Sequence, residues 1–304
     1  MKLLLAVALL LALPAQALEA IRVSQSAYFI RGEAGVPSIA NRGHTSNAGF
    51  VVTREGVVVF DALGTPVLGK ELVEAIRRIT AAPIRRVILS HYHADHFYGL
   101  QPLKDAGAEI WAHSAARNYL GSEAARLRLE ERRQSLAPWV GADMRLVPAD
   151  RWLEGEESFT LGGLTFRVFP VGPAHTPEDL AMAVEEENLL FVGDLMFAGR
   201  IPFVGDADSK AWIAAIDRIV KFNPKVLVGG HGEASRDAAA DLRMTRDYLA
   251  YLREKMGAAA AELEDFEVAY SRTDWSRFAR LPAFEAANRR NAYNTYIRMQ
   301  GDDK

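Results

Sequence analysis

Two hydrophobic periods alternate along the chain. From residue 18 to 60 the apolar positions come in short runs, at 27–30, 48–52 and 56–60, with Gly, Pro, Asn and Ser between them. Runs of this length between turn-formers predict strands. Residues 57–60 are apolar at every position, so that strand is expected to be covered on both faces. After Asp61 the period changes. Leu68, Leu72, Ile76 and Ile79 recur at helical spacing, forming one buried face of a helix that starts at Gly64-Thr65-Pro66 and that Pro83 ends. A strand at 87–89, a helix from near Asp95 to before Gly107, and a strand at 108–112 complete the stretch. Residues 57–112 thus alternate strand and helix, the pattern of a sheet with helices packed on it.

Residues 115–135 read as a charged helix carrying Arg126, Arg128, Glu130, Glu131, Arg132 and Arg133. A solvated face with i,i+4 pairs is the expected role. The alternative is that an arginine reaches an anionic substrate. A loop follows, marked by Pro138-Trp139 and Pro148. A second β-rich block runs from 158 to 193, with strands at 164–169, 180–184 and 189–192. A helix at 209–221 and a strand at 226–228 come next. From Arg236 onward the pattern predicts helices at 236–256, 259–268 and 282–298. The two β–α–β blocks, 57–112 and 158–228, predict two halves of sheet, and no solenoid-like repeat is present.

Composition adds a compartment. Lys2 precedes an apolar run at 3–13, Pro14 breaks it, and Ala15-Gln16-Ala17 is a small-x-small cleavage site. Residues 1–17 are therefore expected to be a secretory signal peptide. The run is shorter than the ~20 residues needed to span a bilayer, so no stable membrane anchor is expected after cleavage. The protein is expected to be periplasmic or secreted. It has no cysteine, which excludes disulfides and thiolate ligands, and its net charge of −3 with no basic patch argues against a nucleic-acid partner.

Chemistry concentrates at His91-Tyr92-His93-Ala94-Asp95-His96. Three of the seven histidines fall in these six residues, just past an apolar strand. In an extended segment positions i and i+2 project to one side, so His91 and His93 can share a metal. Asp95 and His96 arrive as the chain turns into a helix and are offset toward a second metal. Ionisable groups packed this closely repel unless a cation holds them. His44 sits in a polar turn and is expected on a surface loop. His113 ends a strand and is expected to be structural.

The H-x-H-x-D-H pattern after a strand resembles the signature of the metallo-β-lactamase-fold hydrolases. Gly172-Pro173-Ala174-His175-Thr176-Pro177, Phe191-Val192-Gly193-Asp194 and Gly229-Gly230-His231-Gly232 resemble that family's later motifs in order, and Phe60-Asp61 resembles its earlier strand end. The likeness covers about residues 25–235. It implies an αββα sandwich over residues 18–235, with a helical C-terminal extension at 236–304 packing on the same domain. It also implies a dinuclear site: His91, His93 and His175 on one zinc, Asp95, His96 and His231 on the other, Asp194 bridging. Iron or mixed metals are the alternative. Asp95 would be the catalytic group, orienting the nucleophile or carrying a proton. Asp61 and Ser90 would orient the histidine loop, although Asp61 could equally cap the following helix. Phe197, Arg200 and Phe203 are candidates for the substrate pocket.

An Asp bridge resembles glyoxalase II and lactonase relatives, whereas true metallo-β-lactamases place Cys or Ser there. The chain as a whole is similar to exported glyoxalase-II-like zinc metallohydrolases of the quinoprotein relay type. The resemblance therefore implies hydrolysis of a small-molecule ester, thioester or lactone by a metal-bridging hydroxide. Two alternatives remain: a mononuclear iron enzyme like the persulfide dioxygenases, and β-lactamase activity. The physiological substrate and the oligomeric state stay open.

Overall fold

A computed structural model describes residues 17–205 and 207–301. The expected leader lies outside the described residues except for Ala17. Four strands, β1 (Ala20–Arg22), β2 (Ala27–Ile30), β3 (Ala48–Thr53) and β4 (Gly56–Phe60), form an antiparallel meander. The chain then switches to parallel pairing, which requires crossovers. α1 (Pro66–Ile79) leads to β5 (Ile84–Ile88), and α2 (Ala94–Phe97) and α3 (Leu100–Asp105) lead to β6 (Glu109–His113). α4 (Ala116–Leu120) and α5 (Glu123–Ser135) precede β7 (Arg151–Leu153), and the first sheet has the order β1 to β7. The second sheet holds β8 (Glu157–Leu161), β9 (Leu164–Pro170), β10 (Leu180–Val184), β11 (Leu189–Phe197) and β12 (Val226–His231), in the order β12-β11-β10-β9-β8. α6 (Ser209–Phe222) makes its one parallel crossover, between β11 and β12. α7 (Ala238–Ala261), α8 (Phe266–Arg272) and α9 (Phe284–Gly301) close the described chain.

The alternation along β4 explains the layering. Val58 and Phe60 enter the core between the sheets, where Phe60 stacks on Phe191 at 5.5 Å. Such a ring pair contributes about 1 kcal/mol beyond its buried area. Val57 and Val59 face the other way, against Leu68, Leu72 and Ile76 of α1. The strand is buried at all five positions, as its unbroken apolar run requires. On the far side, Leu190 and Val192 of β11 share a core with Trp212, Leu242 and Leu249 of the later helices. The result is a mixed α/β fold: two sheets face to face, helices outside both, and a helical C-terminal region.

Local signals decide the boundaries. Thr65 caps α1 by accepting the Leu68 N–H, and Pro66 fixes its first turn. The helix stops at Thr80 rather than at Pro83, which leaves Ile79 at its tip and exposed, not on the buried face. The single helix expected over 95–106 is broken at Tyr98-Gly99 because the backbone there is pressed against its neighbours. The Gly99 N–H donates to Leu63 O at 3.0 Å, and a Cβ would stand 1.9 Å from Ala62 O. Gly121 and the N-cap Ser122 split the helix expected over 115–135. α7 absorbs the start of the helix expected at 259, since Ala258 to Ala261 carry it on with high propensity. Among the described residues no helix is long and apolar enough to cross a membrane.

Candidate metal centre

Strand ends deliver the polar side chains to one end of the sandwich. β4 runs into Asp61, and the turn from β5 into α2 carries residues 90–96. The loop between β9 and β10 carries His175, β11 contains Asp194, and β12 ends at His231. Two groups form. His91, His93, His175 and Asp194 each bring a ligand atom within 4.8 Å of the others, and so do Asp95, His96 and His231. Asp194 faces both. Its Oδ2 lies 3.2 Å from His175 Nε2 and 3.8 Å from His91 Nε2, while Oδ1 lies 3.1 Å from His96 Nε2 and 3.3 Å from His231 Nε2. Gly230 makes room for this carboxylate, because a Cβ there would stand 2.0 Å from Asp194 Oδ1.

The rings are held from behind. His96 Nδ1 meets Asp61 Oδ2 at 2.9 Å, His91 Nδ1 meets Ser90 Oγ at 2.8 Å, and His231 Nδ1 donates to Thr45 O at 2.6 Å. Each of these contacts leaves Nε2 turned inward, the arrangement by which outer groups fix a ligating imidazole. Asp61 also accepts the Ser90 N–H and hydroxyl, both at 2.8 Å. α1 is capped by Thr65, so Asp61 is not the helix cap. Asp179 accepts the Thr176 N–H and hydroxyl and so pins the loop behind His175; burial pushes its carboxyl up to about 6.

These residues fit divalent cations. The donor set is nitrogen and oxygen only, which suits zinc, iron or manganese. His91 Nε2, His96 Nε2 and Asp194 Oδ1 are buried without a hydrogen-bond partner, and His175 Nε2 and His93 Nδ1 face each other at 2.9 Å. Burial and the neighbouring His96 hold His91 well below its usual range, and burial with His175 lowers His93 to about 3, so both are neutral and able to ligate. Burial alone would raise Asp194, but His231, His96 and His175 outweigh it and keep its carboxylate ionised. His96 is shifted the other way: burial lowers it, but Asp194, Asp61 and Asp95 together raise it well above its usual range. A cation would compete with a proton there.

Residues 41–231 match the family described as the Metallo-beta-lactamase superfamily. That span is well over half of the chain and contains all seven inward-facing residues. The chain belongs to the metallo-beta-lactamase superfamily. Among its relatives, a linear primary-alkylsulfatase from a Pseudomonas species is 22% identical over 66% of this chain and 44% of its own length. A type 2 metallo-beta-lactamase from Bacillus cereus is 28% identical over 62% of this chain and 67% of its own, and the hydroxyacylglutathione hydrolase GloC from Haemophilus influenzae is 28% identical over 54% and 77%. The solved sec-alkylsulfatase Pisa1 from a Pseudomonas species superposes on 92% of this chain and 50% of its own with a TM-score of 0.71, at 19% identity. The chain thus spans about half the length of the alkylsulfatases it matches.

Superfamily membership leaves the surroundings of the site to this chain's own residues. A cavity of about 320 Å³ opens over the two groups. Of the pocket candidates, Arg200 and Phe203 line it. Phe197 does not: it is fully buried and stacks on the His231 ring at 4.6 Å, behind the site. His44 is 8% exposed, not a surface residue, because the turn that carries it folds inward beside Thr45, whose carbonyl His231 uses. His113 is half-buried and accepts the Ala115 N–H, a local structural contact. The charged α5 is not solvated throughout. Its exposed ion pairs include the i,i+3 pairs Glu123–Arg126 and Arg128–Glu131, its i,i+4 contacts are the hydrogen bonds from Gln134 to Glu130 and from Ser135 to Glu131, and Arg128 and Arg132 reach the cavity wall.

Several working residues carry no motif. Asn47 donates through Nδ2 to Gly229 O and Gly232 O, both at 2.9 Å, and its N–H donates to Gly230 O, which ties the start of β3 to the His231 turn. Arg290 and Asn291, on α9 and beyond the matched region, line the cavity. The only sequence cue to Asn47 is an amide just before a strand; Arg290 and Asn291 give none.

Proposed function

We propose that this protein is a dinuclear zinc hydrolase that cleaves an ester, thioester or lactone. The observation that carries the reading is Asp194, which presents one carboxylate oxygen to each of two groups of metal-binding side chains. His91, His93 and His175 would hold one ion and Asp95, His96 and His231 the other, with Asp194 between them. Two divalent ions there would lower the pKa of a shared water and polarise the bond to be cleaved.

The chain's own residues do the rest. Asp61, Ser90 and the Thr45 carbonyl fix the rings so that the nitrogens do not need to reorganise. Asp95 keeps about a fifth of its side chain exposed toward the cavity and is held ionised: burial raises its carboxyl, but His96 and His231 outweigh that. A carboxylate so placed can accept a proton and pass it to a leaving group. The likeness to a hydroxyacylglutathione hydrolase is in keeping with acyl substrates. The partner on this reading is a small molecule, sized by the cavity.

Metal analysis of the purified protein, with a panel of thioesters, lactones and β-lactams, tests the proposal. Two zinc ions per chain and hydrolysis that is lost in Asp95→Ala are expected. One iron per chain with oxygen consumption on persulfides, or full activity in Asp95→Ala, overturns it.

A further inference from the structure

Arg200 is 2% exposed, although its guanidinium is charged. Its Nε and Nη2 are buried with no hydrogen-bond partner. Its Nη1 lies 3.3 Å from His231 Nδ1, but that nitrogen already donates to Thr45 O and has no lone pair to offer. All three guanidinium nitrogens therefore lack a good acceptor. The nearest balancing charges are Asp95 and Asp194, and two divalent ions would more than neutralise both. A metal-loaded site leaves a buried cation with no anion, a state that proteins avoid unless a ligand completes it.

The rest of the cavity has the same sign. Arg128 and Arg132 reach it from α5 and Arg290 from α9, while among the described residues its only acidic lining residues are Asp95 and Asp194. Arg128 and Arg132 lie 3.2 and 3.6 Å from a single carboxylate, Glu131, so together they keep a net positive charge. Arg290 makes no ion pair among the described residues. Phe203 closes one side, with its ring 5.4 Å from the Arg200 guanidinium.

We propose that the substrate is an anion whose carboxylate or sulfate group is bound by Arg200 beside the metal centre, with Arg132 and Arg290 drawing it in from the walls. This deepens the hydrolase reading and rests on it for the two ions and for the cleaved bond; binding of an anion is read separately from cleavage. Carboxylate and sulfate offer the same acceptor geometry to a guanidinium. They differ in place: a sulfate ester would react at the anionic group itself, and a carboxylate would be a handle remote from the cleaved bond.

The test uses the zinc-loaded full chain and three substrates: neutral 4-nitrophenyl butyrate, the 4-nitrophenyl monoester of glutaric acid, and octyl sulfate. An anionic substrate should exceed the butyrate in kcat/KM by about tenfold or more, the worth of one charge-assisted contact. Arg200→Gln should remove that preference, and Arg290→Gln and Arg132→Gln, at exposed or half-exposed positions, should reduce it and flatten its salt dependence. Preference for the glutarate monoester places the anion away from the cleaved bond; turnover of octyl sulfate makes it the reacting group. Calorimetric titration of glutarate gives a second readout, with binding expected to weaken in the same order of variants. Equal or better turnover of butyrate, or glutarate binding that is absent or unaffected by all three substitutions, overturns the proposal. If no substrate is cleaved, the hydrolase reading fails while the titration still decides the anion site.

Discussion

Asp61 Oδ2 and His96 Nδ1 stand 2.9 Å apart, fully buried, and the same carboxylate takes both donors of Ser90. Asp61 holds a left-handed backbone, φ 62°, which costs a non-glycine residue energy and persists where the surroundings enforce it. Asp61→Ala should free the His96 ring and lower affinity at that ion on the order of 10- to 100-fold. It also strands the buried Ser90 N–H, costing about 1–3 kcal/mol. Competition against a chromophoric chelator reads the first effect and thermal denaturation the second. Unchanged metal affinity would show that Asp61 is only structural.

Gly230→Ala offers a cleaner lesion. The added methyl would meet Asp194 Oδ1 at 2.0 Å, the Gly193 backbone carbonyl carbon at 2.9 Å and His96 Cε1 at 3.0 Å, so the carboxylate takes the closest clash and β11 must give slightly. Metal stoichiometry and hydrolysis should drop sharply with the circular dichroism spectrum retained. A variant that still binds its metals normally would mean that the carboxylate has room to move.

Asn291 fastens the cavity loop to the helical tail. Its Oδ1 accepts the Val204 N–H at 2.9 Å, and its Nδ2 donates to Pro202 O at 2.7 Å and to Tyr248 OH at 3.0 Å. Asn291→Ala leaves the Val204 N–H and the Pro202 carbonyl buried and unpaired, at a cost of about 1–3 kcal/mol for each, while Tyr248 OH keeps its bond to Asn288 Oδ1. Because the same loop carries Arg200 and Phe203, KM should rise more than kcat falls. Steady-state kinetics check this, and a pure kcat effect would contradict it.

His44 gives a pH dependence. Burial first, and Arg42 second, lower it to about 4. Its folded pKa is depressed, so the stability that it contributes is complete above the unfolded value of 6.5 and is lost as pH falls toward 4. The loss is on the order of 3 kcal/mol as an upper bound. Denaturant midpoints between pH 7 and 4 should fall more steeply in the wild type than in His44→Gln; parallel curves would refute the assignment.

The residues that gather at the candidate metal centre were legible from the order of motifs that resemble the family's, and three of those motifs follow apolar runs: Ile88-Leu89 before His91, Phe191-Val192 before Asp194, Val228 before His231. Strand ends converge in space, so spacing along the chain carried over to geometry. The walls of the cavity were legible only in part: Arg200 and Phe203 were candidates and line it, but which arginines of the helices join them was not. Arg132 and Arg290 sit in charged helices where every arginine looks alike, and tertiary packing alone selects which ones turn inward. His44 failed for a related reason. A polar turn predicts exposure, but this one is folded under β12 by Asn47 and Thr45. Phe197 follows Asp194 by three residues within β11, and strand pleating with a register slip near Gly193 turned it behind the centre rather than into the pocket.

The division between the matched segment and the tail has an evolutionary consequence. Among the described residues, every side chain poised to hold a metal lies between His91 and His231, whereas Arg290 and Asn291 belong to a helix that begins at Phe284. Mutation, exchange or regrowth of that last helix can therefore reshape what enters the cavity while leaving the ion-binding residues untouched. A lineage built this way can explore new substrates by drift in a helix outside the matched segment, with little risk to the chemistry encoded within it.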